Sequence, residues 1–151
     1  MNAPLQDYKG KRDFSKTPEP PEGGGDAEPF FVVQDHHASR RHHDFRLLLD
    51  GVLKSWAVPK GVPQEPKVKR LAVQTEDHPV AYGSFEGVIP LGEYGAGEVR
   101  IFDRGGFELL ERDANKIVVQ LKGPLLNGTY ALVRFKGKED GSKNWLIMRT
   151  H

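Results

Sequence analysis

The chain contains no cysteine. A disulfide framework and a thiolate metal site are therefore both excluded, and any metal ion would have to be held by histidine and carboxylate side chains. The start of the chain lacks the apolar core that a signal peptide needs, and no later segment approaches the roughly 20 consecutive apolar residues of a membrane-spanning helix. We therefore expect a cytoplasmic protein with no membrane partner.

A large excess of one charge is also absent. The 22 lysines and arginines nearly balance the 21 aspartates and glutamates, which gives a formal net charge of +1. Residues 1–29 carry a small negative excess and the remainder a small positive one. Any binding to a phosphate backbone must therefore come from a local basic groove, and the field of the whole protein contributes little to it.

Sustained helical periodicity is missing as well. From residue 30 onwards, short runs of Val, Ile, Phe and Leu alternate with Gly, Pro, Asn and Asp, which is typical of an all-β domain. We expect a single small antiparallel β-barrel over residues 30–151, closed or nearly closed, with about eight strands and a ligand site at its open mouth. Residues 1–29 are polar and rich in Pro, Gly and acidic residues, and their composition alone predicts a disordered tail.

The dipeptide Asp50-Gly51 lies between two apolar runs and predicts a hairpin with a two-residue type I′ turn. In that register Ser55 lies opposite Arg46 and Ala57 lies opposite Asp44. Because both partners are small, the strand face that carries Arg46 and Asp44 has room for a ligand.

The other face of the same hairpin is predicted to belong to the core. There Phe45 lies opposite Trp56, and an aromatic pair at this position is expected to pack in the interior rather than to stack on nucleobases. Farther along the chain, we predict a second hairpin that turns at residues 103–106 and a further turn at Asn127-Gly128.

Four of the six histidines fall within residues 36–46. If this stretch is a strand, His42, Asp44 and Arg46 share one face. Such a face offers two ligands that suit Zn, Mn or Fe(II), together with a guanidinium that suits a phosphate. The clustering favours a functional site over a strand of solvated polar residues.

Other candidate residues follow along the chain. Lys60 lies just beyond the partner strand, a short basic run covers residues 67–70, and His78 ends a predicted strand where it could transfer a proton. The glycine-rich segment at 85–97 lacks the pattern of a P-loop and is read as a tight loop.

The residues alone leave three functions open. The first is a metal-dependent phosphoesterase in which His36, His42 and Asp44 hold the ion, Arg46 binds phosphate and His78 moves a proton. The second is a non-haem Fe(II) oxygenase in which His78 replaces His36 as the second histidine ligand. The third is a nucleic-acid-binding barrel without catalysis. The nearby cations favour a polyanionic substrate, and with it the first alternative.

Longer motifs then point to a family. The chain resembles the 3′-phosphoesterase domain of bacterial DNA ligase D over nearly its whole length. The resemblance rests on FVVQ-x-H-x-ASR-x-H-x-DFRL at residues 31–47, DGVLKSWAVPKG at 50–61, RLAV at 70–73, EDHP-x-x-Y at 76–82, FEG-x-IP at 85–90, NWL at 144–146 and KRDF-x-x-T-x-EP at 11–20.

The resemblance implies a β-barrel hydrolase of DNA repair by non-homologous end joining. Such an enzyme removes a 3′-terminal ribonucleoside, which is a ribonuclease activity, and then a 3′-phosphate, leaving a 3′-OH. Its substrates would be DNA or RNA-tailed DNA 3′ ends, its preferred cofactor Mn²⁺, with Zn²⁺ or Co²⁺ as other options. Expected partners are a separate ligase, polymerase or end-binding protein, and the chain is expected to be a monomer.

The resemblance also assigns residue roles. The metal ligands would be His36, His42 and Asp44. The catalytic residues would be His78, Arg46 and Tyr82. Substrate would be bound by Lys60, Arg70, Arg12, Asp13 and Glu19. The last three belong to residues 1–29, which we therefore expect to form an N-terminal arm partly docked on the domain at 30–151.

The chain departs from the usual family pattern at four positions, with Asp35 for Lys, Arg41 for Leu, His43 for Tyr and Leu48 for Glu. None removes an expected ligand. We expect Asp35, beside His36, to lower the local positive charge and weaken substrate binding. Polymerase and ligase segments are absent from the sequence, so we expect either a stand-alone version of the domain or an excised domain, and the start at Met1 favours the first.

Overall fold

The computed structural model describes residues 5–22, 28–135 and 143–151. It contains a short α-helix, α1, at Gln6–Gly10 and a 3₁₀ helix at Val80–Ser84. The nine strands are β1 (Phe30–His37), β2 (Arg41–Leu49), β3 (Val52–Val58), β4 (Lys69–His78), β5 (Gly87–Ile89), β6 (Gly97–Asp113), β7 (Lys116–Lys122), β8 (Asn127–Arg134) and β9 (Asn144–Arg149). Within the described ranges, none of the helices has the length and apolarity needed to span a membrane.

Eight of these strands form a closed antiparallel barrel, as the sequence predicted. Their order is β1-β2-β3-β4-β9-β8-β7-β6, and β6 closes the sheet by pairing with β1. The ninth strand, β5, adds to the first three residues of β6. Because β6 pairs with β1, both end strands of the eight have a partner on each side along part of their length.

The predicted hairpin between β2 and β3 is confirmed with its register. Arg46 pairs with Ser55 and Asp44 pairs with Ala57. The two loop residues Asp50-Gly51 have φ values of +57° and +78°, as a type I′ turn requires.

The second predicted hairpin is wrong, because β6 runs without a turn from Gly97 to Asp113. A Cβ on Gly105 would lie 2.5 Å from the carbonyl oxygen of Lys122, so glycine is needed here for the close approach of two backbones. Asp103 is buried and accepts a hydrogen bond from the backbone N–H of Leu126 at 2.7 Å. The polar and glycine residues therefore mark the place where β6 changes its partner from β1 to β7.

The turn predicted at Asn127-Gly128 is also misplaced, because these residues begin β8. The connection between β7 and β8 lies at 123–126, where the N–H of Gly123 donates to the carbonyl oxygen of Leu126 at 3.0 Å. A Cβ on Gly128 would lie 2.4 Å from the carbonyl oxygen of His151, so this glycine serves a close backbone approach instead of a turn.

The interior of the barrel holds a large apolar cluster to which all eight strands contribute. Phe45 and Trp56 belong to it with ring centroids 6.2 Å apart, and Trp145 meets Trp56 edge to face at 5.7 Å. The prediction that the aromatic pair is core is therefore confirmed.

A second apolar cluster lies on the outside of the barrel. It joins Val32 and Leu53 of the barrel wall to Tyr8, Tyr82 and other side chains from residues 5–22, the 3₁₀ helix and β5. These segments cover the outer face of β1, β2 and β3, so polar side chains on that face become buried. The site described next lies on this covered outer face, opposite the face that carries Phe45 and Trp56.

Candidate active site

Strand alternation sorts the side chains of β1 and β2 between the two faces of the barrel wall. Phe31 and Phe45 point into the interior cluster, so the even-numbered residues point outward. Antiparallel pairing then sets Gln34 opposite Asp44 and His36 opposite His42. The face predicted from β2 alone is thus completed by two side chains from β1.

Three side chains on this face form a candidate metal centre. The ligand atoms of His36, His42 and Asp44 all lie within 4.8 Å of one another. His36 Nδ1 is 3.3 Å from one carboxylate oxygen of Asp44, and His42 Nε2 is 3.1 Å from the other. Two imidazoles and a carboxylate suit several first-row divalent ions.

The hydrogen bonds of the two imidazoles fit a bound cation. His36 Nε2 lies 2.7 Å from the carbonyl oxygen of Gly95, and His42 Nδ1 lies 3.2 Å from that of Arg40. A carbonyl oxygen can only accept, so these outer nitrogens carry the protons. In a neutral ring the inner nitrogen then presents its lone pair to Asp44, as in a histidine that binds a metal and is oriented by a backbone carbonyl.

Electrostatics at the centre favour positive charge. Burial raises the pKa of Asp44, but contacts with His36 and His42 and the charge of Arg46 outweigh it and hold that pKa far below its ordinary value. Asp44 in turn raises the pKa of His42. A proton or a metal ion between ring and carboxylate is therefore stabilised here.

Arg46 is buried beside the metal centre and held in one orientation. Its Nε donates to Oε1 of Gln34 at 2.7 Å, and its guanidinium carbon lies 4.8 Å from the ring centre of Tyr82. One Nη is 3.6 Å from Asp44 and the other is 3.1 Å from Nδ1 of His78. The guanidinium is thus fixed between the candidate ligands and the candidate proton-transfer residue.

His78 is buried at the end of β4. Its Nδ1 lies 2.9 Å from the carbonyl oxygen of Glu76 and 3.1 Å from Nη1 of Arg46, and its Nε2 lies 3.5 Å from Arg12 Nη2. Burial first, and then the charges of Arg46 and Arg12, lower the pKa of His78 well below its ordinary value. The ring is therefore neutral at physiological pH.

Residues 5–22 supply one wall of the site. Arg12 Nε lies 2.8 Å from Glu19, and Arg12 Nη1 lies 3.1 Å from Glu76. Glu19 is buried and also accepts the hydroxyl of Tyr82 at 2.7 Å. Burial raises the pKa of Tyr82 well above its ordinary value, so the hydroxyl stays protonated and donates.

The boundary between an N-terminal arm at residues 1–29 and a domain at residues 30–151 stays a prediction.

The predicted residues Arg12, Glu19, His36, Asp44, Arg46, His78 and Tyr82 line one cavity of about 220 Å³. Its charged lining comprises two arginines and three carboxylates, with Glu76 as the third, which is a formal excess of one negative charge. A divalent cation at the candidate metal centre would reverse that sign and make the cavity attractive to a phosphate.

Three predicted substrate residues lie outside this cavity. Asp13 is exposed and accepts from the hydroxyl of Ser15 at 2.6 Å. Lys60 and Arg70 line a separate cavity of about 300 Å³ that His42 also borders. There the Arg70 guanidinium donates to the carbonyl oxygens of Lys60 and Gly61 at 2.9 and 3.0 Å. The roles of all three stay predictions.

The departure at Asp35 has a partner within the chain. Arg41, a second departure, binds the Asp35 carboxylate through two hydrogen bonds of 3.0 and 2.6 Å. The hydrogen bonds from Arg41 lower the pKa of Asp35. Because this pair is neutral as a whole, the local charge is one unit lower than that of the usual Lys and Leu at these positions, instead of two. The weakening of substrate binding by Asp35 stays a prediction.

Sequence reasoning missed Gln34, Glu76, Tyr94 and Gly95, all of which contact the site. Strand alternation alone could have identified two of them, because residues two positions apart share a face: Gln34 lies two positions before His36, and Glu76 two positions before His78. The other two belong to a loop whose position depends on tertiary packing, and no local pattern reveals it.

Comparison with known proteins gives a consistent result. The model of the family described as the DNA ligase D 3′-phosphoesterase domain matches residues 34–134. The multifunctional non-homologous end joining DNA repair protein LigD of Mycobacterium tuberculosis is 47% identical over 160 residues, covering 98% of this chain and 20% of that protein. The LigD protein of Pseudomonas aeruginosa is 46% identical over 157 residues, covering 97% and 18%. The chain thus spans about a fifth of the length of the curated relatives it matches.

Proposed function

Because the chain belongs to the DNA ligase D 3′-phosphoesterase family, we propose that it is a metal-dependent hydrolase that processes DNA 3′ ends for non-homologous end joining. It removes a 3′-terminal ribonucleoside and then a 3′-phosphate from primer-template ends, and leaves a 3′-OH. Mn²⁺ is the proposed cofactor. We also propose that the protein acts together with a separate ligase, polymerase or end-binding protein.

One observation carries this proposal: three candidate metal ligands cluster on the covered outer face, and two of them, His36 and Asp44, line one cavity together with a buried arginine. His36, His42 and Asp44 would hold the ion. When bound, the ion supplies positive charge that polarises a phosphate oxygen. Without that charge, the negative excess of the lining would repel the substrate.

Arg46 is proposed to bind the scissile phosphate. Its Nε is already used by Gln34, so the two Nη groups are the ones that face a ligand. Buried and held on both sides, the guanidinium loses little conformational freedom on binding. This arrangement favours stabilisation of the charge that develops on the phosphate in the transition state.

His78 is proposed to transfer the proton. In the free protein it is neutral and can accept a proton. A bound phosphate places negative charge beside Arg46 and Arg12, which offsets the two cations that lower the pKa of His78. The ring can then take up a proton from the attacking water and pass one to the leaving oxygen.

Tyr82 and Arg12 are proposed to complete the site. The ring of Tyr82 packs on Arg46, and its hydroxyl is anchored on Glu19, which also binds Arg12. This linked set joins residues 5–22 to the phosphate-binding arginine. It supports the proposal that Arg12 and Glu19, with Asp13, assist removal of the ribonucleoside, while Lys60 and Arg70 bind the strand beyond His42.

The test uses a 5′-labelled primer-template with a 3′-phosphate. After chelation and re-addition of Mn²⁺, the wild-type chain should convert the end to 3′-OH, whereas His42→Ala should give no product. His37→Ala is the matched control, because His37 is exposed and its position in β1 alternates with that of His36, away from the candidate ligands. Equal activity of wild type and His42→Ala would refute the proposal.

The same assay separates the two rival functions. A binding module would retain the DNA with or without chelator and yield no product. An Fe(II) oxygenase would need His78 as a ligand, yet within the described residues the candidate cluster uses His36, and His78 bonds to Glu76 and Arg12. Substrate-dependent oxygen consumption would be the signature of that rival.

A further inference from the structure

Exposed apolar side chains concentrate beside the polar site. Among the described residues, eight large hydrophobic side chains are exposed, and three of them, Val88, Leu91 and Tyr94, fall within seven consecutive positions. Leu91 is 95% exposed and Tyr94 is 47% exposed. An apolar segment held in water next to a charged cavity indicates a surface for a ligand that has both apolar and charged parts.

The loop that carries Tyr94 has a defined shape. The N–H of Glu93 donates to the carbonyl oxygen of Pro90 at 3.1 Å, and that of Ala96 donates to Glu93 at 3.1 Å, which makes two successive turns. Gly95 has a φ of +77°, and its carbonyl oxygen binds the ring of His36 at 2.7 Å. Tyr94 is therefore attached, through the next residue, to a candidate metal ligand.

The ring of Tyr94 stands at the exit of the site. It lines the cavity that contains Arg46 and His78, and it also lines an adjoining surface cavity of about 570 Å³. Lys11 Nζ lies 4.9 Å and Arg12 Cζ lies 5.2 Å from its ring centre. An aromatic ring with cations beside it, next to a phosphate site, is the combination with which proteins bind unpaired nucleotides.

We propose that Tyr94 is a substrate-positioning residue whose ring stacks on the nucleobase of the 3′-terminal nucleotide while that nucleotide's phosphate occupies the Arg46 cavity. This inference rests on the proposed function. Stacking on an aromatic ring accepts every base, because all bases have a π face. An enzyme that must accept any DNA end gains an anchor in this way without gaining sequence preference.

A structural alternative makes a different prediction. If Tyr94 serves only to hold Lys11 and Arg12 in place, its removal should harm all substrates equally, whether or not the terminal nucleotide has a base. If Tyr94 stacks on the base, its removal should harm only substrates that have one. The two accounts are therefore separated by changing the residue and the base together.

The first experiment measures binding before turnover. A primer with a single-stranded 3′ tail carries 2-aminopurine at its 3′-phosphorylated end, and its fluorescence is followed immediately after rapid mixing with the Mn²⁺-loaded protein. Wild type, Tyr94→Phe and Tyr94→Trp should quench the fluorescence, and Tyr94→Ala should not. Leu125→Ala, which alters an exposed residue on the loop between β7 and β8, is the control and should quench like wild type. Equal quenching by Tyr94→Ala and wild type, or none by wild type, overturns the inference.

The second experiment measures KM and kcat in Mn²⁺ on ends that have a terminal base or an abasic site. For wild type, loss of the base should raise KM on the order of tenfold. For Tyr94→Ala the base should make little difference, and kcat on the abasic end should match that of wild type. An equal loss on both substrates overturns the inference in favour of the structural role. Quenching without any turnover by wild type would instead overturn the proposed function and leave the binding role standing.

Discussion

The two faces of β2 differ in role, although successive side chains of the strand alternate between them. Phe45 and Leu47 point into the barrel and pack in a cluster to which every barrel strand contributes. Asp44 and Arg46 point outward, where residues 5–22 and the 3₁₀ helix cover them. Inward-facing residues of β2 thus stabilise the fold, and outward-facing residues form the candidate site. Substitutions at neighbouring positions of β2 should therefore affect either stability or activity.

The two faces also differ in how polar atoms are satisfied. On the outer face Gln34, Asp44, Arg46 and His78 are all buried, and each has a partner. Among the described residues, the buried side-chain nitrogen without a partner is Nε1 of Trp56, which lies in the interior. The covered face is therefore a prepared polar site, since burial of such groups is tolerated only when they are hydrogen-bonded.

The largest effect is expected at Asp44. Asp44→Asn should lower the rate of 3′-phosphate removal by at least about a thousandfold, because the carboxylate charge between the two imidazoles is lost. The midpoint of urea unfolding should fall less than in Phe45→Ala, because the amide has the same shape and leaves no cavity, although the contacts of the charge with His36, His42 and Arg46 are lost. A rate assay and an unfolding curve on the same preparation test whether the outer face of β2 serves activity rather than stability. A variant that is active but unstable would contradict this assignment.

Arg46 should follow, with a smaller loss. Arg46→Lys keeps one charge but cannot bond Gln34 and face the phosphate at the same time. We expect a decrease in kcat of about 100- to 1000-fold. Steady-state kinetics on a 3′-phosphorylated primer check it, and a variant with wild-type kcat would show that the phosphate binds elsewhere.

Phe45 should show the reverse pattern. Phe45→Ala removes a fully buried ring from the interior cluster and should cost about 3–5 kcal/mol of the free energy of unfolding. At low temperature, the folded fraction should process ends at nearly the wild-type rate. If that variant does not fold, Phe45→Leu provides a milder test with the same sign. A Phe45 variant of full stability and poor activity would contradict the comparison.

A smaller effect is expected from pH. Burial, Arg46 and Arg12 lower the pKa of His78 in the folded state, so the unfolded state binds more protons below its ordinary pKa of about 6.5. The free energy of unfolding of wild type should therefore fall, relative to that of His78→Gln, as the pH drops through and below that value. Urea unfolding of both proteins at pH 7.5 and 5.5 measures this difference. The opposite contribution of His42, whose pKa is raised, is present in both proteins and cancels.

The least effect is expected from the Asp35–Arg41 pair. Asp35 was expected to weaken substrate binding, but Arg41 binds its carboxylate and the pair has no net charge. Replacing both by Ala should change kcat/KM by about twofold or less. A much larger loss would show that this pair takes part in binding the DNA strand.

Local sequence patterns predicted the parts of the fold that depend on neighbouring residues. The alternation of β2 and the turn at Asp50-Gly51 follow from rules of strand geometry, and both are confirmed. The course of β6 could not be predicted in this way, because Gly105 serves a close approach to β7 that only the closed barrel creates. For the same reason, the sequence pattern placed a turn where the strand continues.

The candidate site divides in a similar way. His42, Asp44 and Arg46 could be assigned to one face by counting residues along a single strand. The side of the barrel on which that face lies followed from the apolar residues opposite it, but its covering by residues 5–22 and the 3₁₀ helix could not be predicted, because that depends on tertiary packing. The part played by Gly95 in orienting His36 depends on a contact between residues 59 positions apart.

The most direct test of the account is a titration of Mn²⁺ into the chelated protein, followed by the electron paramagnetic resonance signal of the free ion. We predict that wild type binds one ion per chain, that His42→Ala loses this binding, and that His37→Ala retains it. Equal uptake of Mn²⁺ by wild type and His42→Ala would contradict the claim that the outer face of β1 and β2 holds the metal.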